Sequence, residues 1–454
     1  MVAGFVAWSL ATLPSCGERY EAPCRVTART VIDPSPTKRP RVGPTSIDEG
    51  RDGAIHVVSF LEGEGLDASA PAPAEGGIGD GGIPSFVAPQ AYVLVVASNG
   101  AQVSGRSFMA PARLRARGGN TAGVGASFTG DAVFFHWREG NVTSAPDGVT
   151  ETSVSTIVQR VSFESGIESP PIVLPELACS RCSMQSAFAT ASGILAAVVS
   201  TLPDGTSREK TRRSRLVTFD ADGRRASLSL DAMVTSASAA VGAGGETPVG
   251  IGGLGAQPDL SIRLTVQRGL FMVRIGRRVA FFDPKTLRTI GRDLYELPTS
   301  EAELDLDSAT GNLTVVYSAA ATAVGDDEPP FATGGLPDLV YEVRGASANQ
   351  PIASRRISSS FTAIDLRKND DRVGVVHTTG AGAFYFSLVE ENGHKLGGDH
   401  PIAAPASASA PSSPRGSGTF DDVTSSALVV SGPNRWTYWI TSGDLIREVI
   451  TCDP

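Results

Sequence analysis

One pattern recurs along this chain and restricts its fold more than any other feature: a turn followed by a short apolar strand. It reads "DGAIHVVSF" (52–60), "GDAVFFHW" (130–137), "SGILAAVVS" (192–200), "TGNLTVVYS" (310–318), "DDRVGVVHT" (370–378) and "TSSALVVSG" (424–432). Most copies are followed by a loop and then by two further apolar runs joined by a tight turn, as in "AYVLVVASNGAQVSGRSF" (91–108) and "SRLVTFDADGRRASLSL" (214–230). Asn-Gly and Asp-Gly at such turns mark hairpins, because Gly, Asn and Asp tolerate the positive φ that tight hairpin turns require. Residues 266–292 contain the corresponding runs of one further unit. A few short strands cannot bury their apolar faces alone, so repeated units of this kind must stack on one another.

Seven units of several short strands each predict an all-β fold: a single β-propeller with seven blades of antiparallel strands, extending over residues 24–452. An eight-bladed ring and a divergent pair of sandwiches are the alternatives the same runs leave open. The 50 Gly, 30 Pro and 19% charged residues are strand-and-turn composition. A net charge of −9 favours solubility and supplies no general electrostatic attraction for nucleic acid.

The start of the chain carries a different signal. The apolar run "VAGFVAWSLATL" (2–13) is too short for a membrane-spanning helix and has the length of a signal-peptide core. The residues that follow, Leu13-Pro14-Ser15-Cys16, resemble a bacterial lipobox, which implies a signal peptide over 1–15, lipid attachment at Cys16 and a short tether over 16–23.

With Cys16 lipidated, Cys24, Cys179, Cys182 and Cys452 remain, an even number that suggests two disulfides in an exported protein. "CSRC" (179–182) has the spacing of a β-turn, within disulfide reach. A redox pair there would call for a βαβ context and a zinc site for two further ligands, and neither companion is visible. By elimination Cys24 pairs with Cys452. A ring explains that pairing: "CRVTARTVI" (24–32) would complete the last blade beside "LIREVITC" (445–452), and the bridge would pin the seam.

Together these features resemble exported bacterial β-propeller lipoproteins, a likeness at the level of the fold. It implies a monomer anchored to the envelope, at the outer membrane, through its N-terminal lipid. The chain carries no repeated Trp-Asp ending, no kelch double glycine, no S-x-D-x-G-x-T-W box and no repeated tryptophan docking motif. Long insertions at 61–90, 138–153, 201–213 and 319–337 follow the "VV" strands, which makes them connections between second and third strands, and another lies at 403–420. These would crowd one face, and loops are where propellers carry function.

Candidate site residues are few. "TSREKTRRSR" (206–215) sets Arg208, Lys210, Arg212, Arg213 and Arg215 against one Glu209, a candidate for gripping phosphate or carboxylate. Asp326, Asp327 and Glu328 lack the ligand spacing of a calcium loop, and "GGIGDGG" (76–82) is a single copy of a repeat that binds calcium only in series. His136 and His377 occupy equivalent places in two repeats, where Tyr317, Ser59 and Ser431 stand in others, and this equivalence favours structural roles. Trp436 and Tyr438 should face one way and Trp439 the other, with packing between blades the favoured use over sugar stacking. No metal site or cofactor motif is expected. The expected function is a non-catalytic envelope binding or scaffold protein that presents its loop-rich face to a protein or glycan. A polysaccharide hydrolase or lyase with a site at the channel mouth is the alternative.

Overall fold

The structure, a computed structural model, describes residues 23–32, 46–49, 54–61, 90–117, 121–144, 150–174, 182–203, 213–220, 223, 225–234, 262–299, 301–319, 338–346, 351–359, 362–378, 383–402, 426–442 and 444–453. After β1 (Cys24–Ile32), the first blade holds β2 (Ser46–Glu49), β3 (Ile55–Leu61), β4 (Gln90–Val96) and β5 (Gln102–Met109). A short helix α1 (Ala112–Arg117) leads to the second blade: β6 (Thr121–Phe128), β7 (Ala132–Ser144), β8 (Thr150–Ser162) and β9 (Ile172–Leu174). The third comprises β10 (Cys182–Ala191), β11 (Ile194–Pro203), β12 (Arg213–Phe219) and β13 (Arg225–Ser229). The fourth comprises β14 (Ile262–Gln267), β15 (Leu270–Ile275), β16 (Arg278–Phe282) and β17 (Tyr295–Glu296). The fifth follows with β18 (Glu303–Leu306), β19 (Leu313–Ala319), β20 (Asp338–Arg344) and β21 (Pro351–Ser359), and the sixth with β22 (Thr362–Asn369), β23 (Arg372–Thr378), β24 (Phe384–Glu390) and β25 (His400–Ile402). The seventh has β26 (Ser426–Gly432), β27 (Arg435–Ser442) and β28 (Asp444–Cys452).

Each blade is a four-stranded antiparallel sheet in chain order, except the seventh, whose outer strand is β1. The first strands of most successive blades contact one another, as β6 with β10, β10 with β14, β18 with β22, β22 with β26 and β26 with β2, which places them innermost around a central channel. This is the seven-bladed ring expected from the repeats. One expected repeat is shifted: "TSSALVVSG" supplies the innermost strand β26, and "RWTYWITS" takes the second position that the "VV" runs occupy in other blades.

Apolar burial is divided among seven clusters, one at each interface between neighbouring blades. Strand alternation produces this division. In β7, Val133, Phe135 and Trp137 pack toward the first blade while Phe134 packs toward the third. Trp436 and Tyr438 likewise fill the interface with the sixth blade, and Trp439 fills the interface with the first. All three are fully buried, so packing between blades is their role, as the alternation predicted.

Tight turns close one face. Between β10 and β11, Ser192 and Gly193 have φ of 52° and 76°; between β14 and β15, Arg268 and Gly269 have 50° and 75°. Positive φ at both central positions suits the right-handed twist of the flanking strands. The opposite face receives the connections between second and third strands, and those from each outer strand to the next blade. The segments 62–89, 204–212, 320–337 and 403–425 therefore all start and end on that face. The insertion expected at 138–153 is largely ladder: β7 and β8 stay paired out to Ser144 and Thr150, leaving only 145–149 as connection. Its polar, Thr- and Ser-rich sequence concealed that extension.

Glycine allows one close approach inside the second blade. Gly125 and His136 are ladder partners, and the His136 imidazole lies across Gly125 while stacking on Phe188 at 3.7 Å. A Cβ at position 125 would overlap that ring. We expect Gly125→Ala to lower stability by about 1–3 kcal/mol in urea unfolding, as overpacking does. Combined with His136→Ala its cost should shrink, since the overlapping partner is gone. Additive costs would show that the ring is not what the new methyl meets.

Candidate functional site

The innermost strands line the channel, and their polar residues divide into ties between blades and groups left facing the channel. Gln267 at the end of β14 accepts from Leu306 N at 3.1 Å and donates to the carbonyl of Leu304, joining the fourth blade to the fifth. Asp305 on β18 accepts from Arg268 at 2.9 and 2.8 Å and from Lys368 N at 2.6 Å, joining the fourth, fifth and sixth blades. On β22, Asp365 accepts from Leu428 N at 2.6 Å and Leu366 N at 2.8 Å, joining the sixth blade to the seventh. Burial pushes Asp365 up to about 6 against the pull of Arg367 and these two amides. Its oxygens are committed to holding backbone.

Glu303 differs. It is the first residue of β18, paired with Val316, at the end of the channel where the long connections leave, and among the described residues its side chain forms no direct hydrogen bond or ion pair. Across the interface, Arg263 on β14 and Arg274 on β15 are direct ladder partners, so both guanidinium groups leave the same face of the fourth blade. Arg274 is buried and donates to the carbonyl of Ala302, beside Glu303; Arg263 is exposed. Burial pushes the Glu303 carboxyl up to about 8; Arg274 opposes that shift and Asp365 adds to it. Burial also lowers Arg274, with Glu303 opposing and Arg263 reinforcing. Arginine keeps its proton under all ordinary conditions, so Glu303 is the group whose charge gives way.

His136 and His377 are built into the packing and the ties between blades. Burial lowers His136 to about 3, which leaves it neutral between Gly125 and Phe188. His377 Nε2 lies 2.9 Å from Ser387 Oγ and 3.5 Å from Asp399 Oδ1. Ser387 also donates to Asp399, which takes Lys395 Nζ at 2.6 Å and Ser358 Oγ at 3.0 Å. A nucleophilic triad sets serine and carboxylate on opposite nitrogens of the imidazole. Here both meet Nε2, and Ser358 belongs to β21 of the neighbouring blade, so this constellation is a lock between blades. Tyr317 donates to Glu342 at 2.7 Å, and Arg344 grips the same carboxylate at 2.6 Å while reaching the Glu296 carbonyl of the fourth blade. That is a second lock.

At the seam, Cys24 and Cys452 are bridged with Cα atoms 3.9 Å apart. Cys452 N donates to Asn434 O on the far side, and Asp453 N donates to Pro23 O. The bridged pair is therefore the non-hydrogen-bonded kind, in which facing side chains approach most closely. Of the basic candidates, Arg213 and Arg215 lie on β12, both with partners, while Arg208, Lys210 and Arg212 lie outside the described residues. Cys16, Cys179, Asp326, Asp327, Glu328 and residues 76–82 also lie outside them, as does the side chain of Cys182.

No protein-family profile matches the chain, and no curated protein matches it. Solved structures with low-scoring likeness include TolB from Acinetobacter baumannii, at TM-score 0.27 and 11% identity over 80% of this chain and 76% of that one. The Trypanosoma rangeli sialidase in complex with the inhibitor DANA aligns at TM-score 0.30 and 10% identity, over 78% of this chain and 56% of the sialidase. This chain thus spans little more than half of the sialidase's length. Likeness of this degree assigns neither activity nor ligand. The class rests on the chain's own seven sheets: a β-propeller closed by its two terminal strands.

Proposed function

We propose that this protein is an exported, lipid-anchored binding or scaffold protein of the cell envelope, which holds a protein or glycan on the face from which its long connections leave. The observation that carries this reading is the one-sided distribution of the longest connections: the segments 62–89, 320–337 and 403–425 start and end on one face, while the other face carries hairpin turns and the connections 163–171, 283–294 and 391–399. Propellers carry function on such loops. Export has separate support in the seam disulfide, because such bonds persist in oxidising compartments. Lipid attachment at Cys16 would leave a short tether before β1. The polysaccharide-degrading alternative would draw its acid and base from the channel; Asp305 and Asp365 there are engaged in tying blades together, whereas burial leaves Glu303 a carboxyl that could hold a proton near neutral pH.

Cell fractionation with globomycin tests the anchor. We expect the wild-type protein in the membrane fraction, with accumulation of an unprocessed form under the inhibitor, and Cys16→Ala released from the membrane. A cytosolic protein that retains Met1 would overturn the localisation. Incubation with envelope polysaccharides tests the rest, since saturable binding without new reducing or unsaturated ends is expected, and steady product formation would favour the enzyme.

A further inference from the structure

We propose that His400 is a pH-sensitive latch on the seam strand: its neutral imidazole fastens β1 to the sixth blade, and protonation lets residues 25–32 loosen while the Cys24–Cys452 bridge keeps hold of the strand's start. The latch is independent of the lipid anchor and of what the loop face holds. It stands on one hydrogen bond whose direction is fixed. Val26 N donates to His400 Nε2 at 3.3 Å, and a backbone amide can only donate, so that ring nitrogen carries no proton. Strand geometry explains why the amide is available. Cys24 and Cys452 form a non-hydrogen-bonded pair, and Val26↔Ile450, two residues along the same antiparallel ladder, is another. The Val26 N–H therefore points away from β28, off the outer edge of the seventh blade, and His400 is the acceptor it meets. On β25 His400 pairs with Phe386, which packs in one cluster with Cys24, Ile446 and Ile450, so this face of the sixth blade is turned to the seam. Just beyond Val26 the ladder of β1 is interrupted by a bulge before Ala28, where the strand has least to hold it.

The charged groups around the ring set the sign. From β28, Glu448 alternates with Ile446 and Ile450 onto the face toward the sixth blade, and its ladder partner Arg29 of β1 lies on that side with Nε 3.8 Å from Glu448 Oε1. Near His400 in sequence, Lys395 and Asp399 are engaged with each other and with His377 and Ser358, in the lock toward the fifth blade. Burial lowers His400 from its ordinary value, with Glu448 opposing. The latched ring thus takes up a proton less readily than a released one. Its hold is complete above the ordinary imidazole range, about 6.5, and is lost as pH falls below it.

Hydrogen–deuterium exchange of the full chain at about pH 7.5 and about pH 5.5, corrected for the intrinsic pH dependence of amide exchange, tests the latch. Peptides within 25–32 should lose about fivefold in protection at the lower pH, the worth of one hydrogen bond, while peptides of the third and fourth blades keep theirs. His400→Gln places a non-titrating acceptor at the position of Nε2 and should remove the pH response of this segment. His400→Ala should show the loosened strand at both pH values, with the other blades unchanged. Equal protection of 25–32 at both pH values in the wild type, a pH response retained in His400→Gln, wild-type protection in His400→Ala, or a loss spread evenly over all blades would overturn the proposal.

Discussion

Replacing Cys452 with Ser should lower the melting temperature by about 5 °C and open the seam to proteolysis. The bridge closes a loop of 428 positions, and in the chain-entropy treatment of disulfides such a closure contributes on the order of 5 kcal/mol. With an unfolding entropy of about 2.1 cal/mol/K per residue over several hundred residues, that loss converts to roughly 5 °C. The effect should be local in structure, because β1 is held weakly by packing. Only Cys24 of β1 is buried; Val26 and Ile32 are partly buried against the clusters on either side, and most of the rest of the strand is exposed. Its hold is the ladder from Cys24↔Cys452 to Ile32↔Leu445. Once the bridge is gone, that strand can leave while the other six blades stay paired, and β28 becomes an unpaired edge. Limited proteolysis followed by mass spectrometry should find the first cleavages within residues 24–32. Non-reducing peptide maps of the wild type should link the peptide containing Cys24 to the one containing Cys452. A melting temperature unchanged in Cys452→Ser would mean that the ladder alone secures the ring.

The seam was legible because it follows from two independent arguments, the elimination of cysteine partners and the need of a ring to close. The second strands were legible for a physical reason as well. "HVVS", "VFF" and "LAAVVS" are buried on both faces between neighbouring blades, so they read as continuous apolar runs. The innermost strands were not. "SIDE" (46–49) and "TAGVGASF" (121–128) are short, polar or glycine-rich, because they border the channel and need little apolar surface. For the same reason the channel residues carry no run-like signal in the sequence, whereas the basic run at 208–215 stands out. A signal was present. Ile47-Asp48, Leu304-Asp305 and Ile364-Asp365 repeat an aliphatic residue followed by aspartate, and in each case the "VV" pair of the next strand begins nine or ten positions after the aspartate. Two of these aspartates prove to be ties between blades, which a comparison of the repeats by position would have suggested.

Asp305→Ala should be the most damaging substitution among those ties, costing about 3–5 kcal/mol. The carboxylate is 1% exposed and is shared by three blades, since Arg268 sits in a turn of the fourth, Asp305 on the fifth and Lys368 on the sixth. Truncating it leaves the amide of Lys368 without its acceptor, at about 1–3 kcal/mol, and removes two charge-assisted hydrogen bonds from Arg268, at about 1.5–3 kcal/mol more. Asp305→Asn should cost less, because its one remaining acceptor can still meet Lys368 N while the bidentate grip on Arg268 is lost. Arg268→Ala separates the two parts. It also removes the donor to Lys368 O, at 2.8 Å, but leaves the amide of Lys368 satisfied, so its cost should be smaller than that of Asp305→Ala. In urea unfolding of the double variant Asp305→Ala/Arg268→Ala, the loss should fall well short of the sum of the singles, since each removes the same ion pair. Equal and additive losses would mean that Arg268 and Asp305 act independently, and the inner ring would then be held by packing alone.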